Sequence, residues 1–130
     1  MALIRDVNLF AADPERVAAF YSDVFGFPEI EAVRSEIFRC LDAGPVRLGF
    51  NGPKAYALLD LSDRERTDRS VGCYVTVEAE DDAGVDRLAE RAVELGATLI
   101  KPSAETYYGA WQCVLSDLED NVFRIQHQRG

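Results

Sequence analysis

Histidine and tryptophan are each present once in this sequence of 130 residues, as His127 and Trp111. A single imidazole and no GxSxG elbow exclude the usual Ser-His-Asp hydrolase arrangement. No GxGxxG and no phosphate-binding loop occurs, which removes the common nucleotide folds. Cysteine is scarce and scattered. Cys40, Cys73 and Cys113 form no CxxC pair, and an odd number of thiols without a secretory signal predicts a reducing, cytoplasmic setting. Each lies in an apolar context (FRCL, GCYV, QCVL), where a free cysteine reads as a small buried hydrophobe. Basic charge is also short, with 14 Lys+Arg against 23 Asp+Glu and a net of −9 spread over both halves. No basic patch exists to neutralise phosphates, so nucleic acid and anionic membrane surfaces are excluded as partners. Nor is there a stretch approaching the ~20 apolar residues of a membrane span. Arg5 and Asp6 interrupt the first apolar run, and no small-residue cleavage site follows, so no signal peptide is expected.

What is present is a patterned globular sequence, 48% hydrophobic. Leu3–Phe10 alternates as a strand. Asp13-Pro14 reads as a helix N-cap with proline in the first turn, and Gly26 as the stop. Val17, Phe20, Tyr21 and Val24 recur between them at helical spacing. Short strand-like runs follow at Pro28–Arg34, Glu36–Asp42 and Val46–Asn51, then an apolar run, Ala55–Leu61. The polar connector 62–70 comes next, and the order restarts. Val71–Val77 alternates as a strand, Asp81-Asp82 caps a helix carrying Val85, Leu88, Ala92 and Leu95, and Gly96 ends it. Ala97–Lys101, a loop through Tyr107-Tyr108-Gly109, the strand Trp111–Ser116, a turn at 117–120 and the strand Val122–His127 complete the chain.

The two halves superpose. A shift of 68 places Val7 on Val75, Leu9 on Val77 and Val17 on Val85; a shift of 70 places Gly26 on Gly96. Such a duplication predicts one domain of two βαβββ modules, about 1–61 and 71–130, in an α+β architecture where each sheet covers its apolar face with a helix.

Three stretches carry a resemblance: Val7–Phe27 (VNLFAADPERVAAFYSDVFGF), Val75–Leu88 (VTVEAEDDAGVDRL) and Ser116–Ile125 (SDLEDNVFRI). In this order and spacing they resemble the vicinal oxygen chelate superfamily of glyoxalases, extradiol dioxygenases and bleomycin-type resistance proteins. The resemblance implies a curved sheet around a pocket, and modules paired within a chain or across a homodimer. It also implies metal-ligand positions, which fall here on Asp6, near Gly72, on the strand Val46–Asn51 and on Arg124. Arginine cannot ligate, Gly72 has no side chain, and the strand offers only Arg47 and Gly49. The usual metal set is therefore missing, and no metal or other cofactor is expected. His127 lies beyond the closing position and reads as a surface residue.

If Asp6 faces the pocket, strand parity turns Asn8 and Phe10 the same way, with Gly72, Tyr74 and Thr76 in the second module and Arg124 and Gln126 on the last strand. Phe38, Tyr56, Tyr107, Tyr108 and Trp111 add aromatic walls. A mainly aromatic site with a few polar groups suits a planar organic ligand. Two readings follow: a protein that binds or sequesters such a small molecule, or a metal-free enzyme using Asp6 or a tyrosine. Because the resemblance brings positions 6 and 124 to one ion, it also predicts an Asp6–Arg124 salt bridge in place of the metal.

Overall fold

The computed structural model describes all residues, Met1–Gly130. The chain divides into two units, Met1–Arg69 and Ser70–Gly130, each with its own sheet.

In the first unit, β1 (Asp6–Phe10) leads into α1 (Pro14–Phe25), followed by β2 (Phe38–Asp42), β3 (Arg47–Asn51) and the short α2 (Lys54–Leu58). The Asp13 carboxylate accepts from the Arg16 amide and caps α1, with Pro14 in its first turn. Gly26 ends α1 at φ +75°, a left-handed conformation that glycine adopts without a Cβ penalty. The sheet order is β1-β3-β2, with β1 parallel and β2 antiparallel to β3. Leu9, Leu41, Leu48 and Phe50 are buried on one face. There Tyr21 of α1 packs on Phe50, ring centroids 5.3 Å apart.

The second unit runs β4 (Val75–Glu78), α3 (Asp82–Glu94), β5 (Thr98–Glu105), β6 (Ala110–Ser116) and β7 (Val122–Gln128), in sheet order β4-β7-β6-β5. Asp81 caps α3 by accepting from the Gly84 amide at 2.6 Å. Val85 and Ala92 of α3 are fully buried, as are Cys113, Leu115, Phe123 and Ile125 of the sheet. The turn before β7 is organised by the buried Asp117, whose Oδ1 accepts from the Glu119 and Asn121 amides.

Several expectations are corrected. Pro28–Arg34 is not a strand. It makes one bridge, Glu29 to Leu41, then curls into a single 3-10 turn at Glu31–Val33. Pro28 has no N–H for a ladder, and Arg34 pairs with both Glu29 (2.7 Å) and Glu31 (3.1 Å) beside the turn. The apolar run after residue 54 opens as α2. Leu3 and Ile4 lie outside β1 and are exposed. Val71–Tyr74 likewise precede β4, because the ladder starts where Val75 meets Phe123. Cys73 is exposed for that reason, whereas Cys40 and Cys113 are buried as expected. The segment after Gly96 is longer than expected. β5 runs to Glu105 through two register shifts around Pro102, which an edge strand tolerates.

Candidate functional site

In each unit the face of the sheet turned away from its long helix carries the polar and aromatic residues. In the first unit, alternation along β1 puts Asp6, Asn8 and Phe10 on that face, and the parallel register sets them beside Arg47, Gly49 and Asn51. Asp6 Oδ1 accepts from Arg47 Nε at 2.7 Å, and Oδ2 accepts from Arg5 Nε and Nη2 at 3.2 and 3.1 Å. The Arg47 hydrogen bond, with Arg5 assisting and desolvation opposing, holds the Asp6 carboxyl below its ordinary range. Asp6 in turn pushes the Arg47 guanidinium up. Gly49 matters through what it lacks: a Cβ there would overlap Asn8 Oδ1 and come within 2.9 Å of the Phe38 ring. Asn51 Nδ2 donates to Asn8 Oδ1 at 3.4 Å. Phe10 stacks on Tyr56 of α2, centroids 3.9 Å apart and planes 10° off parallel. Tyr56 is buried, and its hydroxyl accepts from the Arg66 amide.

The equivalent face of the second unit is a connected network. Register places Thr76 beside Arg124, Glu78 beside Gln126, and Gln112 beside Gln126 on the other side. Arg124 Nε donates to Thr76 Oγ1 at 2.7 Å and Nη1 to the Tyr108 hydroxyl at 3.4 Å, while its guanidinium lies 4.8 Å from the Tyr74 ring centroid. Tyr108 donates to Gln126 Oε1 at 3.0 Å, and Gln112 Nε2 bonds both Tyr108 and Gln126. Gln126 Nε2 and the Gln128 amide donate to the two oxygens of Glu78.

Of the residues expected at a site, Asp6, Asn8, Phe38, Phe10 and Tyr56 therefore gather in the first unit, and Tyr74, Thr76, Tyr108, Arg124 and Gln126 in the second. Two do not join them. Trp111 faces the helix: its indole Nε1 donates to Asp86 of α3 at 3.0 Å, and Arg129 lies over its ring. It shares parity with the buried Cys113 and Leu115 rather than with Gln112. Tyr107 is fully exposed and touches Tyr108 edge-on. Within the first unit Asp6 is bonded by Arg47, its neighbour across the β1–β3 ladder, and not by the Arg124 partner alone as expected; within the second, Arg124 is engaged by Thr76, Tyr108 and Tyr74. The 68-residue shift that places Val7 on Val75 also makes Tyr74, not Gly72, the sequence counterpart of Asp6, and Tyr74 is the residue that meets Arg124. His127 Nδ1 lies 3.2 Å from the Ala79 carbonyl and 3.6 Å from Glu78, on the helix side of β7.

Arg47, Gln112 and Glu78 belong to these faces and were not among the expected site residues. Alternation of polar side chains along β6 and β4 was the available signal; the pairing that joins them lies between distant strands. As for metal donors, nowhere in either unit do three His, Cys, Asp or Glu side chains come together. Asp6 has both carboxylate oxygens committed to guanidinium groups.

Comparison with known proteins adds the following. A family model described as a glyoxalase-like domain matches residues 6–126. The crystal structure of a glyoxalase/bleomycin resistance protein/dioxygenase family enzyme from Burkholderia phytofirmans PsJN is similar at 43% identity and TM-score 0.95, over 98% of this chain and 100% of that one. Lactoylglutathione lyase from Agrobacterium tumefaciens shares the fold at 21% identity and TM-score 0.73, covering 98% and 94%. The fosfomycin resistance protein FosX from Mesorhizobium loti does so at 19% and 0.70, covering 98% and 92%. No curated protein matches the chain.

Proposed function

The chain belongs to the glyoxalase-like domain family of the vicinal oxygen chelate superfamily, and from that premise we propose that it binds a small planar or aromatic organic compound without a metal ion. The observation that carries this reading is what stands at the family's ligand positions. Asp6 is already bonded to two arginines, and Arg124, which cannot ligate, rests on the Tyr74 ring. These residues do not fit a divalent ion, for which a catalytic site needs about three protein donors. They do fit a ligand with a flat apolar body and polar edges. Tyr74 and Tyr108 offer ring surface, and Gln112, Gln126 and Thr76 offer hydrogen bonds from the same sheet face. Sequestration of a planar aromatic compound is the role we assign.

The same reading includes a homodimer in a reducing cytoplasm. β1 and β4 each end their sheet with one edge unpaired within it, and such edges invite a partner. All three cysteines are free. No helix is long and apolar enough to cross a membrane.

Elemental analysis of gently purified protein, followed by a thermal-shift comparison of planar aromatic compounds with metal salts, tests the proposal. Aromatic compounds raising the melting temperature of metal-free protein is the expected result. Stoichiometric zinc, nickel or iron that is lost in Asp6→Ala would overturn it.

A further inference from the structure

We infer that the compound bound by the second unit carries an anionic oxygen group, a carboxylate or a phosphate, attached to an aromatic body, and that Arg124 is the residue that reads it. The inference rests on the ligand-binding reading above and sharpens it. Two arginines stand on the sheet faces turned from the long helices, and they differ in one respect. Arg47 has a carboxylate partner, Asp6 at 2.7 Å. Arg124 has none: its hydrogen bonds go to two neutral hydroxyls, Thr76 and Tyr108. A guanidinium has five N–H donors, and these two bonds leave three unused.

The lack of a carboxylate partner is not for want of acidic groups, since the chain has 23 Asp+Glu against 14 Lys+Arg. Nearby Glu78 is not the partner either, since its oxygens accept from Gln126 and from the Gln128 amide. The surroundings hold the cation in place rather than neutralising it. Tyr74 covers one face of the guanidinium, Thr76 fixes the Nε end, and Tyr108, itself bonded to Gln112 and Gln126, fixes Nη1. A planar cation preorganised in this way presents a fork suited to two oxygens of one anion. Thr76 accepts from Arg124 through its oxygen and retains its own hydroxyl hydrogen, a further donor beside that fork. The half-exposed Tyr74 ring adjoining them supplies the stacking surface for the aromatic body.

Isothermal titration of the full-length protein with benzoate, phenyl phosphate and benzyl alcohol tests this. The three share a ring and differ in charge and in the geometry of the oxygens. At least one anion is expected to bind about tenfold or more tightly than benzyl alcohol, as a charge-assisted hydrogen bond predicts. Which anion binds more tightly identifies the group as carboxylate or phosphate. Arg124→Gln should bring the anion down to the level of benzyl alcohol. Thr76→Val, a smaller change that keeps the arginine, should weaken the anion alone, and added salt should do the same in the unmodified protein. Equal binding of all three compounds, or an anion preference that survives in folded Arg124→Gln protein, would overturn the inference and leave the aromatic-ligand reading standing. Failure of these and of neutral planar compounds to bind at all would remove both.

Discussion

Asp6 and Arg47 face each other across the β1–β3 ladder, Oδ1 to Nε at 2.7 Å, although they are 41 residues apart in sequence. The contact is a consequence of register: the parallel pairing that sets Val7 beside Leu48 sets Asp6 beside Arg47. Both oxygens of the Asp6 carboxylate are committed to guanidinium groups.

The ion pair has a pH signature. The Asp6 carboxyl is depressed in the folded protein by the Arg47 hydrogen bond, so folding favours its ionised form. Its stabilisation is present above the unfolded aspartate value of about 3.9, and is lost as pH falls through the lower folded value. The difference in urea stability between the unmodified protein and Asp6→Asn should therefore be largest near neutrality and shrink as the pH falls through that window. A difference that stays constant down to the acid transition would show that the carboxylate is not the titrating partner.

Gly49 should resist enlargement. A methyl group there meets the Asn8 amide and the Phe38 ring at once. The Asn8 tip can rotate away, while Phe38 must shift within a sheet where Phe38 pairs with Asn51. Gly49→Ala is expected to cost about 1–3 kcal/mol, the usual range for overpacking. Chemical denaturation measures it, and a crystal structure of the variant should show Asn8 displaced from Asn51. An unchanged midpoint would mean that the face is open enough to absorb the methyl without rearrangement.

The three thiols should separate by reactivity. Burial pushes both Cys40 and Cys113 up from the ordinary thiol value, which suppresses their thiolates, and both side chains are inaccessible. Cys73 is exposed ahead of β4. Iodoacetamide at neutral pH should label Cys73 alone in native protein and all three residues in denaturant, as read by mass spectrometry of tryptic peptides. Native labelling of Cys40 at a rate comparable to Cys73 would contradict the burial of the first sheet.

The parts of the fold written in local chemistry were legible in the sequence. Asp13-Pro14 and Asp81 announce their helices because capping is a contact over three residues. The alternation Val122, Arg124, Gln126 against Phe123, Ile125 sorts β7 correctly, since the pleat has a period of two. What depends on pairing between distant strands was not legible. The Asp6–Arg47 pair follows from a register that no short-range pattern encodes. Pro28–Arg34 has strand composition, yet after one bridge to Leu41 it curls into a 3-10 turn where Arg34 bonds Glu29 and Glu31. Trp111 is a different kind of miss. Its parity with Cys113 and Leu115 sets it on the helix side, away from the aromatic walls expected of the pocket.

That placement makes Trp111 a reporter for the helix side of the second unit. Its indole Nε1–H is bonded to Asp86 Oδ1 at 3.0 Å, and the Arg129 guanidinium lies 5.4 Å from the ring centroid, itself bound to Asp82 of α3. These contacts tie the start of β6 to the first turns of α3. Anions binding at Arg124 meet the opposite face of the sheet, so the single tryptophan's emission should stay unchanged through a benzoate titration. Asp86→Ala removes the hydrogen-bond acceptor and exposes the indole N–H to water, which should shift the emission maximum. The same variant should cost about 0.5–1.5 kcal/mol, the ordinary net worth of one hydrogen bond. A tryptophan signal that follows benzoate and ignores Asp86→Ala would place Trp111 on the ligand face and refute the parity assigned to β6.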